Sequence, residues 1–141
     1  MTPDQIKLVQ QSFAKVVPIS EQAAVLFYDR LFEIAPAVRE MFPSDMAEQR
    51  RKLMATLAIV VNGLSNLELM LPAAASLATR HVGYGAKAEH YPVVGSALLW
   101  TLEKGLGTDW TADVADAWTA AYATLSGFMI AQAYGRPQAA E

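Results

Sequence analysis

The chain has 141 residues, 53% of them hydrophobic and 18% charged, which suits one globular domain with a substantial core and not a disordered segment. A formal net charge of −3 offers no electrostatic footprint for nucleic acid or an anionic membrane. The lack of cysteine excludes a disulfide scaffold, a cysteine zinc site, an iron–sulfur cluster and thioether attachment of a cofactor. The opening MTPDQIKLVQQ is polar and unlike a secretory leader, and no apolar run approaches about 20 residues. The expectation is a cytoplasmic protein with no membrane span.

Helical periodicity runs along nearly the whole chain. Thr2, Pro3 and Gln5 read as an N-cap, a first-turn proline and a capping-box partner. Ile6, Val9, Phe13 and Val16 then share one face until Pro18. Ser20 is expected to cap a second helix carrying Ala24, Phe27, Tyr28, Leu31 and Phe32, closed before Pro36. PAVREMFP, residues 36–43, reads as a short turn of helix between prolines. A long helix is expected from Ser44 or Asp45 to Gly63, with Leu53, Leu57, Val60 and Leu64 on its buried stripe. Leu71-Pro72 starts the next, which carries Leu77 and His81 and frays at Gly83 and Gly85. Another begins near Pro92 and ends at Gly105/Gly107. Thr111 caps the last, with Val114, Trp118, Tyr122, Leu125 and Met129 facing in. Trp100, Trp110, Trp118 and the methionines read as packing. The fold class is all-α, six to eight helices with short connections over residues 1–134, and a flexible tail over 135–141. The 36–43 turn breaks bundle regularity and favours an irregular, steeply crossed pack.

The chain has two histidines, His81 and His90. A single histidine on an apolar stripe is ordinarily a satisfied core or surface residue. The setting of His81 points further. It follows AAASLATR, small residues that let a helix approach a flat, bulky partner, and glycines come directly after it. A neutral imidazole is a common metal ligand, and the Leu77 carbonyl one turn back could fix its tautomer. One histidine cannot close a zinc site. It can be the sole protein ligand of a metal already held by four nitrogens, which is haem.

Four segments in order, LFYDRLFEIAPAVREMF (26–42), EQRRKLMATL (48–57), RHVGYGAKAEHYPVVG (80–95) and DAWTAAYATL (116–125), resemble the globin family, and the likeness spans essentially the whole chain. It is nearest to single-domain bacterial globins and the globin part of flavohaemoglobins. The resemblance implies a globin fold enclosing a haem b pocket, with His81 as the proximal iron ligand and Phe42 packed on the porphyrin. It makes Tyr28, Gln49 and Leu53 the distal residues, with Leu77, Tyr91, Val94 and Lys52 also against the cofactor. Gln49 and Leu53 are four apart and share a helix face. Read without the family, Tyr28 is a core tyrosine bonded to a backbone carbonyl and Gln49 a solvated surface residue.

Oxygen held on ferrous haem carries partial negative charge, so the Tyr28 hydroxyl and Gln49 amide imply tight retention, about 1.5–3 kcal/mol per hydrogen bond to a charged acceptor. Leu53 would exclude water. Tyr28 or Lys52 could fill the sixth position when no gas is bound. Flavohaemoglobins surround the proximal histidine with a tyrosine, matched by Tyr91, and a glutamate, whose position falls on Ala133 beside Gln132. The carboxylate is therefore missing, and a neutral proximal imidazole is expected. His90 is either an exposed helix-start residue or a partner of a haem propionate, a role for which Arg50, Arg51, Lys52, Arg80 and Lys87 compete.

The leading functional reading is a binding module: reversible, high-affinity binding of oxygen, with nitric oxide and carbon monoxide as further ligands. The alternative is a nitric oxide dioxygenase. Because the sequence stops at Glu141, it would depend on a separate cellular reductase. A gas or redox sensor acting through a partner is a third class.

Overall fold

In a computed structural model, residues 2–83 and 90–134 are described, apart from the side chains of 67–69, 73, 82–83 and 131–134. Six α-helices follow one another: α1 (Pro3–Val16), α2 (Ser20–Ile34), α3 (Ala47–Gly63), α4 (Leu67–Gly83), α5 (His90–Leu106) and α6 (Ala112–Tyr134). Three short 3₁₀ segments, Val17–Ile19, Pro36–Met41 and Gly107–Asp109, connect them, and no strand occurs among the described residues. The expected Gly85 break and the 135–141 tail lie outside the described residues.

Local chemistry accounts for most boundaries. The capping box at α1 forms as read: the Gln5 N–H donates to Thr2 Oγ1 at 3.1 Å and the Thr2 N–H to Gln5 Oε1 at 3.0 Å. Ala35, preceding Pro36, leaves the helical region at φ −141°, ψ 71° and ends α2. Thr111 Oγ1 accepts from the Val114 N–H at 3.2 Å and caps α6. Gly107, with φ +56°, takes the left-handed conformation that closes α5.

Three expected starts move. Ser20 caps nothing, because the chain passes from α1 through the 3₁₀ turn at Val17–Ile19 with Ser20 already helical. α3 begins at Ala47, whose N–H is taken by Asp45 Oδ1 at 3.0 Å. α4 begins at Leu67, not at Leu71, and holds Pro72 inside it. The preceding chain supplies the early acceptors, the Met70 N–H donating to the Asn66 carbonyl at 3.2 Å. The ring of Pro72 therefore costs one ladder bond near the helix start and does not terminate the helix.

The helices form an irregular pack. α2 lies most extensively against α5, while α6 covers both α1 and α4. Val9, Phe13 and Val16 of α1, Phe27 and Leu31 of α2, Leu98 and Leu102 of α5 and Trp118 of α6 make the core. Trp110 packs on its edge, and Trp100 lies outside it beneath the guanidinium of Arg30, 5.1 Å from the ring centre. The sequence reading missed one polar link. Ser12 is only 5% exposed on the apolar face of α1, and its Oγ accepts from Trp118 Nε1 at 2.8 Å while donating to the Leu8 carbonyl at 2.7 Å. A serine facing a tryptophan more than 100 residues away carries no local signal.

α5 and α6 meet at Gly95. A Cβ there would stand 2.6 Å from Cε2 of Tyr122. The ring cannot swing aside, because its hydroxyl donates to the Tyr91 carbonyl at 2.5 Å. Gly95→Ala is expected to destabilise the fold. Overpacking costs about 1–3 kcal/mol, and the helix-propensity gain of about 0.5–1 kcal/mol does not offset it. Ser12→Ala leaves the buried Trp118 N–H unpaired and should cost about 1–3 kcal/mol. Urea titration of both variants checks these values, and a neutral Ser12→Ala would disprove the link.

Candidate functional site

The helices enclose a cavity of about 390 Å³ walled by all six. α2 contributes Phe27, Tyr28 and Leu31, and the 36–43 segment Val38, Met41 and Phe42. Gln49, Lys52, Leu53, Leu57 and Val60 come from α3, Leu77, Arg80 and His81 from α4. His90, Tyr91 and Val94 come from the first turns of α5, and Tyr122, Leu125 and Met129 from α6. All nine residues singled out for cofactor or ligand contact, spread over 67 positions of sequence, therefore line one cavity. Of the other residues expected as partners for a propionate, Arg80 and His90 line it. Arg50 and Arg51 do not. Lys87 lies outside the described residues, as do the side chains of Gln132 and Ala133.

The cavity also explains a departure from the expected α3 stripe. Leu53, Leu57 and Val60 are only half-buried, and Val61 is the buried residue of that helix. The three pack on the edge of the core and line the cavity.

Two polar elements stand out in this largely apolar enclosure. Tyr28 is 5% exposed, and its hydroxyl accepts from Gln49 Nε2 at 3.0 Å. The alternative of a core tyrosine bonded to a backbone carbonyl is not what is seen. An oxygen that accepts from the amide keeps its own proton for a further acceptor, and the incoming bond polarises that O–H. Burial pushes the Tyr28 phenol above its ordinary value, partly opposed by the bond from Gln49, so the group is held as a neutral donor. Its ring is braced by Phe27 (4.9 Å, edge to face) and Phe42 (5.5 Å, edge to face).

His81 forms the second polar element. Its Nδ1 lies 2.8 Å from the Leu77 carbonyl, the helical i−4 contact expected from the sequence. A carbonyl can only accept, so Nδ1 carries the proton and the lone pair resides on Nε2. Burial lowers the His81 pKa and Arg80 lowers it further, while the Leu77 bond works in the opposite direction. The ring is thus kept neutral, the form able to donate a lone pair to a metal. Tyr91 stacks near it, centroids 6.2 Å apart at 27°. Among the described residues no group of three or more histidine, aspartate or glutamate side chains could hold a metal ion. A metal here would need most of its ligands from elsewhere. The neutral His81 imidazole, large apolar walls and cations from Lys52 and Arg80 suit a flat, apolar, anionic metal macrocycle.

Tyr122 faces in as expected; its ring lines the cavity and its hydroxyl donates to the Tyr91 carbonyl, tying α6 to the first turn of α5. Burial raises its pKa well above the ordinary phenol range, and Tyr91 adds to that. For both Tyr28 and Tyr122 the folded state favours the neutral form. That stability is present below the ordinary value of 10.0 and is lost as pH rises through the raised values. Absorbance titration at 295 nm should show two of the five tyrosines ionising late, together with alkaline unfolding. Five ordinary phenol titrations would contradict this.

Comparisons with known proteins agree with this architecture. The globin family model matches residues 25–129. A flavohemoprotein of Bordetella parapertussis is 29% identical over 133 residues, covering 92% of this chain and 33% of the relative. One from Rhodopirellula baltica is 30% identical over 128 residues, covering 89% and 31%. The chain thus spans about a third of the length of these curated relatives. Among solved structures, a bacterial globin from Campylobacter jejuni superposes with a TM-score of 0.84 at 27% identity, covering 94% of this chain and 96% of the other. An engineered carbene transferase, built from a candidate nitric oxide dioxygenase of Rhodothermus marinus, gives 0.84 at 26%, covering 100% and 99%. Among the described residues no helix is long and apolar enough to cross a membrane. With a matched fold and a family model that covers residues 25–129, this chain belongs to the globin family.

Proposed function

We propose that this globin holds haem b through His81 and binds oxygen reversibly and tightly, with nitric oxide and carbon monoxide as further ligands. The observation that carries this reading is the pair of polar elements in one apolar cavity: the neutral His81 imidazole and the Tyr28–Gln49 donor pair. When bound, haem supplies a ferrous iron able to take a diatomic ligand.

The chain's own residues do the rest. Leu77 fixes the His81 tautomer, and Tyr91 limits rotation of the ring. Phe42, Leu53 and Val94 supply apolar contact, and Lys52 and Arg80 are placed on the cavity wall to meet carboxylates. Tyr28 and Gln49 offer hydrogen bonds to a ligand atom that gains negative charge, and Leu53 with Phe27 and Leu31 keeps water from it. The raised Tyr28 pKa favours a neutral phenol, the form that can donate a hydrogen bond.

A second reading, nitric oxide dioxygenation driven by a cellular reductase, draws support from the flavohemoprotein relatives and the Rhodothermus neighbour. The same donor pair would serve it. Sustained NADH-supported turnover of nitric oxide with a reductase would decide for the enzyme.

The first reading is tested by the absorbance spectrum of the purified protein, ferric and then reduced under air. A stable oxy spectrum is expected. His81→Ala should lose haem, and Tyr28→Phe should accelerate oxygen release roughly 10–100-fold, the equivalent of about 1.5–3 kcal/mol. A colourless protein that refuses added haemin, or full haem affinity in His81→Ala, sinks the reading.

A further inference from the structure

The segment between α2 and α3 carries Phe42 into the cavity wall, yet it contains no α-helix to support it. At its end Phe42, Pro43 and Ser44 follow one another outside any helix, and Pro43 has no N–H with which a turn could be tightened. One side chain meets all three carbonyls. Arg39 Nη1 donates to the carbonyl of Phe42 at 3.2 Å and of Pro43 at 2.9 Å, and Nη2 to that of Ser44 at 3.3 Å. Cζ of the same guanidinium lies over the Phe32 ring, 5.1 Å from its centre. Phe32 in turn packs on Phe42 at 5.5 Å and on Tyr28 at 5.9 Å. Arg39 itself does not line the cavity.

This geometry is not that of a solvated surface charge. The guanidinium holds the backbone that bears Phe42 and also lies over the ring that buttresses both Phe42 and Tyr28. Only a planar fork can do both at once. An ammonium has no flat face and cannot spread its donors over three successive carbonyls.

We propose that Arg39 is a positioning residue, which fixes Phe42 and, through Phe32 and Phe42, sets the aim of the Tyr28 hydroxyl into the cavity. Its effect on a ligand rests on the haem reading above; its effect on the corner does not. The Phe42 N–H, which donates to the Arg39 carbonyl at 3.1 Å within the same turn, is a local reporter.

The test compares Arg39→Met and Arg39→Lys with the native chain and with Ser12→Ala, which weakens the fold away from the 36–44 corner. Hydrogen exchange on the haem-free protein should show the Phe42 amide opening about tenfold faster or more in Arg39→Met, with Arg39→Lys between. In the haemin-reconstituted, reduced protein under carbon monoxide, the infrared stretch of the bound gas should shift or split in Arg39→Met. Ser12→Ala, whose partner Trp118 lines the cavity on the α6 side, should lower the Tm yet leave Phe42 exchange as in the native chain. Unaltered Phe42 exchange, an unaltered stretch, or the same change of Phe42 exchange in Ser12→Ala would overturn the proposal. Should the native chain take no haem, the haem reading fails, and Phe42 exchange alone decides for or against Arg39.

Discussion

Folding tends to eliminate empty space, because apolar side chains gain from every contact they make and interiors pack as densely as organic crystals. This chain must fold around a cavity of about 390 Å³ without closing it. It does so with side chains that are large, rigid and mutually braced. Phe27, Phe32 and Phe42 support Tyr28 from three sides, and Tyr91 stacks beside His81. Helix crossings are set elsewhere, by close contacts such as Gly95 on Tyr122 and by the Ser12–Trp118 bond between α1 and α6. With the crossings fixed at these points, the helices cannot slide together over the space between them.

The polar groups inside this enclosure follow from the same constraint. A polar atom deprived of water costs several kcal/mol on the scale of apolar transfer unless it finds a partner, about 4–8 for water to cyclohexane. Tyr28 finds Gln49, His81 finds the Leu77 carbonyl, and Trp118 finds Ser12. In the first pair the accepted bond leaves the phenolic proton to donate, and in the second the Leu77 bond sets the tautomer in which Nε2 carries the lone pair. Stability and chemistry thus use the same bonds. The interactions that make burial tolerable also fix which atom can donate a proton and which can donate an electron pair.

Membership of the globin family settles the scaffold and leaves the activity to the site. The relatives carry two-thirds of their length outside the matched region, so their whole-protein activity does not transfer with the fold. What this chain brings is a donor pair over an apolar space and an imidazole held neutral. The electrostatics favour a ligand that becomes negatively charged in place, whether it is to be kept or consumed.

Periodicity, prolines and caps made the helices legible in the sequence. The α1 capping box, the end of α2 before Pro36, the 3₁₀ turn at 36–41 and the Thr111 cap all depend on residues within one turn of each other, and each is where local chemistry put it. The Leu77–His81 bond is likewise an i−4 contact and was readable as such. The starts of α2 and α4 were not, because whether Ser20 caps and whether Pro72 breaks a helix depends on where neighbouring chain supplies acceptors. The residues around the cavity could be named only through their resemblance to a family. Nothing local says that residues 28, 49 and 81 share a space, and nothing local marks Arg39, Ser12 or Gly95 as special. Their partners lie across the corner or across the core, and only the way the helices cross brings a guanidinium onto three carbonyls, a serine onto a tryptophan and a glycine under a tyrosine ring.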